Sequence, residues 1–246
     1  MYFDSSSHPV ELPREFSWLD YDGIVPEVRN QASCGSCYSF GFTCAMMARI
    51  RIKSRGKFTP NLSPQHIVSC NPYTQGCHGG FGYTCGRFAF ETGLVEEEAF
   101  PYTAKDDACV DVSKYKHWKV RSYGIVGNYY GNTTEEAVMR DLVENGPLGV
   151  SFDVPRQGSV MHPSFRNYKS GVYMFNESPT RRKGIAFVET THAVTLVGYG
   201  VENGLKYWLI QNSWGSTWGD EGYFKLVRGI DNLGIESLVE GMEPLF

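Results

Sequence analysis

QASCGSCYSFGFTCAMMARIRIKS, residues 31–54, reads as a tight turn followed by a helix, with a thiol at the junction. After the Gly35 turn, Phe40, Cys44, Met47, Ala48 and Ile52 recur at intervals of three to four residues, which predicts a buried helical stripe over Cys37–Ser54. Arg49, Arg51, Lys53 and Arg55 gather toward its C-terminal end, where the helix dipole favours basic groups. Cys37 therefore stands at the positive end of a long helix, a setting that lowers a thiol's pKa and favours the thiolate.

Upstream, Pro13 to Asn30 alternates turn residues with Phe16, Trp18, Ile24 and Val28, an extended strap with aromatic anchors. Downstream, Ser63–Ser69 predicts a short helix with a serine cap and Pro64 in its first turn. Phe81–Thr92 predicts another, stopped by Gly93, and Thr134–Glu144 a fourth, closed by Asn145-Gly146-Pro147. Then the pattern changes. Leu148–Val154, His192–Gly200, Lys206–Asn212, Gly222–Arg228 and Ile235–Glu240 are short runs rich in Val, Ile, Leu and Tyr between glycines and polar turns, the mark of antiparallel strands. Asn176–Thr191 reads as an exposed loop between strands. The expected fold is α+β: one domain over 1–246, a mainly helical lobe (12–125) and a mainly β, barrel-like lobe (126–240). The chain ends cross between the lobes, and a cleft lies between them.

At 246 residues, 41% of them hydrophobic and 20% charged, the chain has the composition of an ordinary globular protein. The net charge is −4 and the basic residues are scattered, apart from Arg181, Arg182 and Lys183, so no stripe suited to nucleic acid is present. No apolar run is long enough to cross a bilayer. The opening MYFDSSSHPVELP lacks a basic start followed by an apolar run, so no targeting signal is read there. The seven cysteines, Cys34, Cys37, Cys44, Cys70, Cys77, Cys85 and Cys109, leave at least one thiol unpaired. Clustered cysteines with one to spare suggest disulfides around a reactive thiol in an oxidising compartment. Cys34-x-x-Cys37 has metal-ligand spacing, but no second close pair follows, which argues against zinc. A thioredoxin-like redox pair would want a preceding strand and a shorter chain.

A sulfur nucleophile needs a base and donors facing the oxygen that becomes charged. Of six histidines, His192 alone lies in a Val- and Leu-rich strand just after a polar loop (THAVTLVGYG), rigidly held yet able to face a cleft. Asn212, opening NSWG on the next strand but one, can bond one imidazole nitrogen and fix tautomer and ring angle. Gln31 can turn its amide toward an oxyanion beside the Cys37 N–H. By spacing alone each has a plainer reading: Cys37 a half-cystine, His192 a structural histidine, Asn212 a turn former, Gln31 part of the strap.

QASCGSCYSF (31–40), CHGG (77–80), THAVTLVGYG (191–200) and NSWGSTWGDEGYF (212–224) resemble the successive signature blocks of the papain family of cysteine peptidases, over residues 12–242. Within it, VRNQASCGSCYSF, LSPQHIVSC, QGCHGGFGY, TGLVEEEAFPYT and GIESL are similar to the cathepsin C (dipeptidyl peptidase I) branch, with Tyr38 where most members carry Trp. The resemblance implies hydrolysis of peptide or protein substrates through a thioester, without a catalytic cofactor. Cys37 is then the nucleophile, His192 its ion-pair partner, Asn212 the orienting amide and Gln31 the oxyanion donor. Trp214 shields the Asn212–His192 hydrogen bond, and Gly79 and Gly80 let a substrate backbone approach.

The same resemblance pairs Cys34 with Cys77 and Cys70 with Cys109, and leaves Cys44 and Cys85 as either a third bridge or two buried thiols. It puts Leu238 and Phe81 in the apolar S2 pocket, a chloride ion against Tyr102 at its back, and Glu236 toward solvent. The branch removes N-terminal dipeptides with the help of an N-terminal exclusion domain that also supports a tetramer. Only eleven residues precede Leu12 here, which leaves no room for that domain, a pro-segment or a targeting signal. The alternative is an open-cleft endopeptidase; an inactive homologue kept as a binding protein is the remaining reading. Arg181, Arg182 and Lys183 match a processing site, cystatin-like proteins are the implied inhibitors, and sequons at Asn61, Asn132 and Asn176 fit a lysosomal, vacuolar or secreted protein.

Overall fold

The computed structural model describes residues 11–176 and 189–246. In chain order the elements are β1 (Phe16–Ser17), α1 (Cys37–Lys53), α2 (Pro64–Cys70), α3 (Gly82–Glu91), β2 (Lys119–Ile125), α4 (Glu135–Asn145), β3 (Leu148–Phe152), β4 (Arg156–Gln157), β5 (Val160–Met161), α5 (Pro163–Arg166), β6 (Val172–Tyr173), β7 (His192–Glu202), β8 (Leu205–Gln211), β9 (Tyr223–Val227) and β10 (Val239–Leu245). Among the described residues the main sheet runs β2-β10-β3-β7-β8-β9-β6, with β1 added to β7. This is the expected mixed two-lobe α+β architecture, and its helix starts follow local chemistry. Ser63 accepts the His66 N–H and Thr134 the Ala137 N–H, each closing the first turn of its helix from the N-cap position.

The ends of the chain tie the lobes together. Phe16 and Ser17 pair with Tyr199 and Gly198, and β10 bridges β3 to β2 in the N-terminal half. Two cores result. One lies under the sheet, with Phe152, Phe165, Trp208, Ile210 and Phe224, and the other between α1, α2 and α3, with Tyr38, Met46, Ile50, Ile67 and Phe88. α1 is buried on all sides from Tyr38 to Ile50. Its face toward the sheet narrows at Gly41, where a Cβ would come within 3.1 Å of the Val194 carbonyl, and Thr195 Oγ1 donates to Gly41 O at 3.2 Å. That contact brings the N-terminus of α1 alongside the start of β7.

Several sequence expectations need correction. Lys119–Ile125 forms a strand in the half expected to be helical, because it edges the sheet against β10. The last strand begins at Val239, after a 3-10 turn at Asn232–Gly234, not at Ile235. The β4–β5 hairpin, α5 and β6, which is parallel to β9, were not anticipated. Arg49, read in the sequence only as a basic group near the C-terminal end of α1, is 1% exposed, with Nη2 2.6 Å from Asp141 Oδ1 and Nε donating to Pro147 O at 2.7 Å. Glu236 is buried instead of facing solvent, accepting from Trp208 Nε1 (2.9 Å), Gly229 N (2.5 Å) and Asp231 N (3.0 Å). Arg181, Arg182 and Lys183 lie outside the described residues.

Candidate active site

Cys37 opens α1 and His192 opens β7. Burial works to raise the Cys37 thiol, but a hydrogen bond and positive charge from His192, with the N–H groups of Ala193 and Tyr38, outweigh it and hold the pKa below its ordinary value. On the far edge of the imidazole, His192 Nε2 lies 2.8 Å from Asn212 Oδ1. Asn212 follows the last residue of β8, the strand next to β7, closer than the sequence reading placed it. Gln211 stands opposite Thr195 in that ladder, so register delivers Asn212 to the histidine. Trp214 stacks on the imidazole with ring centroids 4.8 Å apart and planes at 28°. His192 is only 5% exposed and Asn212 3%, so their hydrogen bond is shielded from water.

Gln31 is fixed by its partners: its N–H donates to Ser213 O at 2.9 Å, its Oε1 accepts from Ser213 Oγ at 2.6 Å, and one Nε2 hydrogen goes to Cys34 O at 2.9 Å. The second Nε2 hydrogen remains for the cleft, which Gln31 lines together with Cys37. The Cys37 N–H, at the first position of α1, has no intrahelical acceptor. A thiol held below its ordinary pKa, an imidazole and two donors thus converge on a cleft of about 670 Å³.

The cleft also takes in Gly79, Gly80 and half-exposed Phe81 on one side and Met161 and Trp214 on the other. Gly79 sits at φ +123°, a conformation that excludes side chains, and leaves its surroundings open for an approaching backbone. This loop is stapled by Cys34–Cys77, and Cys70–Cys109 closes a second loop, as the resemblance implied. There is no third bridge. Cys44 donates from Sγ to Gln211 Oε1 at 2.7 Å, facing the sheet, whereas Cys85 belongs to the helical core. Burial pushes the Cys44 thiol up to about 11 and that of Cys85 well above its ordinary value, which makes both poor nucleophiles.

Two expected residues fall elsewhere. Leu238 is 6% exposed, its carbonyl accepts the Ser151 N–H at 3.2 Å, and it is not among the residues that line the cleft. Tyr102 gives its hydroxyl to Gln31 O at 2.7 Å, pairs with Ser36 Oγ at 2.6 Å and sets its ring edge-on to Phe40. Its polar atoms are committed behind the strap, so they do not fit a chloride site. Among the described residues, no group of three or more His, Cys, Asp or Glu is placed to hold a metal ion, and no helix is long and apolar enough to cross a membrane. Asn61, Asn132 and Asn176 are all exposed.

Residues 12–242 match the papain family of cysteine proteases, and the chain belongs to that family: it is a cysteine peptidase of the papain type. Among its relatives, a cathepsin C from Schistosoma mansoni is 40% identical over 243 residues, which is 95% of this chain and 52% of that protein. Cathepsin K from Mus musculus is 36% identical over 87% of this chain and 60% of its own length. The chain thus spans about half to three fifths of these two relatives. Among solved structures, digestive procathepsin L2 from the larval midgut of Tenebrio molitor superposes with a TM-score of 0.83 at 30% identity, over 96% of this chain and 69% of that one.

Proposed function

We propose that this chain cleaves internal peptide bonds as an open-cleft endopeptidase, with Cys37 as nucleophile, His192 as acid and base, Asn212 as the orienting amide and Gln31 as an oxyanion donor. The observation that carries this reading is the convergence of the lowered Cys37 thiol and the Asn212-fixed His192 on a long cleft lined from both lobes. The Cys37 thiolate attacks the scissile carbonyl, and the new oxyanion takes hydrogen bonds from Gln31 Nε2 and the Cys37 N–H. His192, protonated in the ion pair, gives its proton to the departing amine, leaving a thioester on Cys37. It then removes a proton from water as the water attacks that thioester, releasing the acid and restoring the thiolate–imidazolium pair. The substrate backbone lies along Gly79 and Gly80, with a side chain against Phe81.

The similarity to cathepsin C supports a second reading: release of N-terminal dipeptides, with an exclusion domain closing one end of the cleft and supporting a tetramer. Cystatin-like inhibitors suit either reading. A lysosomal, vacuolar or secreted setting suits the two disulfides and the exposed sequons. Product mapping by mass spectrometry, on a long peptide with free or acetylated amino terminus, separates the two. Internal cuts in both forms support the endopeptidase, whereas successive dipeptides from the free form alone overturn it in favour of the second reading.

A further inference from the structure

Glu240, near the start of β10, is a buried acid that the proposed reaction does not use. One carboxylate oxygen, Oε1, accepts the Tyr83 N–H at 2.6 Å in the first turn of α3. The other, Oε2, has no hydrogen-bond partner, and no basic side chain pairs with the carboxylate among the described residues. Glycines border that free oxygen: a Cβ on Gly82 would overlap it, and the Cβ position of Gly149 lies 3.8 Å away. The carboxylate lines a narrow recess that also includes Val150 and Ala193.

The recess adjoins the cleft. Ala193 lines both, Gly82 follows the cleft residue Phe81, and Val150 precedes the cleft residue Ser151. Burial pushes the Glu240 carboxyl up to about 7, against the opposing effect of the Tyr83 N–H. The other titratable groups packed there stay neutral in that range. Tyr38 from α1 donates its hydroxyl to Gly76 O, and the Cys85 thiol of α3 is raised by burial. A buried carboxylate with a free oxygen and no counter-ion is costly to keep, and a cation arriving from outside would relieve that cost.

We propose that Glu240 is a specificity residue whose free carboxylate oxygen receives an ammonium group of the peptide substrate. The recess has room for about one water-sized group, which suits an ammonium and not a planar guanidinium. Two sources share this chemistry: a lysine side chain near the scissile bond, and the free amino terminus of a short acyl segment. The inference rests on the proposed peptidase reaction and deepens it, because the second source would favour dipeptide release.

The test measures kcat/KM for the wild-type chain and for Glu240→Gln, which keeps an acceptor for the Tyr83 N–H. One set of acetylated peptides carries lysine or norleucine at each of the three positions before the scissile bond. A second, lysine-free pair differs only in a free or acetylated amino terminus. Charge-assisted hydrogen bonds suggest that the wild type favours one ammonium-bearing member about tenfold or more. Glu240→Gln should erase that preference while cleaving the neutral member at a similar rate. In the wild type the preference should grow from pH 5 to pH 7, where the carboxyl ionises while both kinds of ammonium group remain charged, and in the variant it should stay flat. Equal ratios in wild type and variant for every pair would overturn the inference and leave the peptidase reading standing. No cleavage of any peptide by the wild type would overturn both.

Discussion

His192 and Asn212 meet through a 2.8 Å hydrogen bond from Nε2 to Oδ1, closed off by the Trp214 ring stacked on the imidazole. The bond fixes which imidazole edge faces Cys37, and burial keeps water from competing for it.

Replacing Asn212 with Ala frees the ring without removing it. A misplacement of about 1 Å costs on the order of 10²-fold, so kcat should fall by roughly that factor with little change in KM. Gln31→Ala, which removes one oxyanion donor, should lower kcat by about 10²- to 10³-fold. Steady-state kinetics on an internally quenched peptide, with circular dichroism to verify folding, checks both.

The Cys37 thiol is held low by His192 against the upward push of burial. Removing the histidine leaves burial in control and sends the thiol up. Alkylation of Cys37 by iodoacetamide should therefore persist at mildly acidic pH in the wild type and shift to alkaline pH in His192→Ala. The rate measured against pH, with the labelled peptide identified by mass spectrometry, gives the answer; Cys44 and Cys85 should remain unlabelled while the chain is folded.

Arg49 and Asp141 join α1 to α4 through a buried pair at 2.6 Å. Asp141→Ala strands the guanidinium charge in the interior, which costs about 3–5 kcal/mol. In a chain of this size each kcal/mol lowers Tm by about 2–4 °C, so a loss on the order of 10 °C is expected by calorimetry.

Glu240 predicts the opposite trend. With a folded-state pKa of about 7, against an ordinary value of 4.5, it costs nothing below pH 4.5, where folded and unfolded chains are both protonated. As pH rises toward 7 the unfolded chain ionises first and the fold loses stability; above 7 the penalty is complete, at most about 3 kcal/mol. Glu240→Gln should gain nothing at pH 4 and be more stable than wild type at pH 8, as read by urea unfolding at the two pH values.

Much of this was legible in the sequence because it depends on local pattern. The stripe from Phe40 to Ile52 specified α1, the serine cap before Pro64 specified the start of α2, and the amphipathic run from Thr134 specified that of α4 within a residue. The site residues could be read from signature blocks, since each block is a short stretch whose backbone geometry the chemistry demands. What escaped depends on long-range pairing. Lys119–Ile125 becomes a strand only because β10 returns to meet it, and the burial of Arg49, Glu236 and Glu240 follows from partners far along the chain. Leu238, absent from the cleft lining, and Tyr102, whose hydroxyl is already bonded to Gln31 O and Ser36 Oγ, likewise depend on contacts distant in sequence.

The most direct test of the central claim is to trap the acyl-enzyme. The chain is mixed with a blocked peptide ester, quenched in acid within the first turnover and mapped by mass spectrometry. An adduct with the mass of the acyl group is expected on the peptide containing Cys37, absent in Cys37→Ala and retained in Cys44→Ala. Turnover with the adduct on another residue, or undiminished turnover in Cys37→Ala, would contradict it.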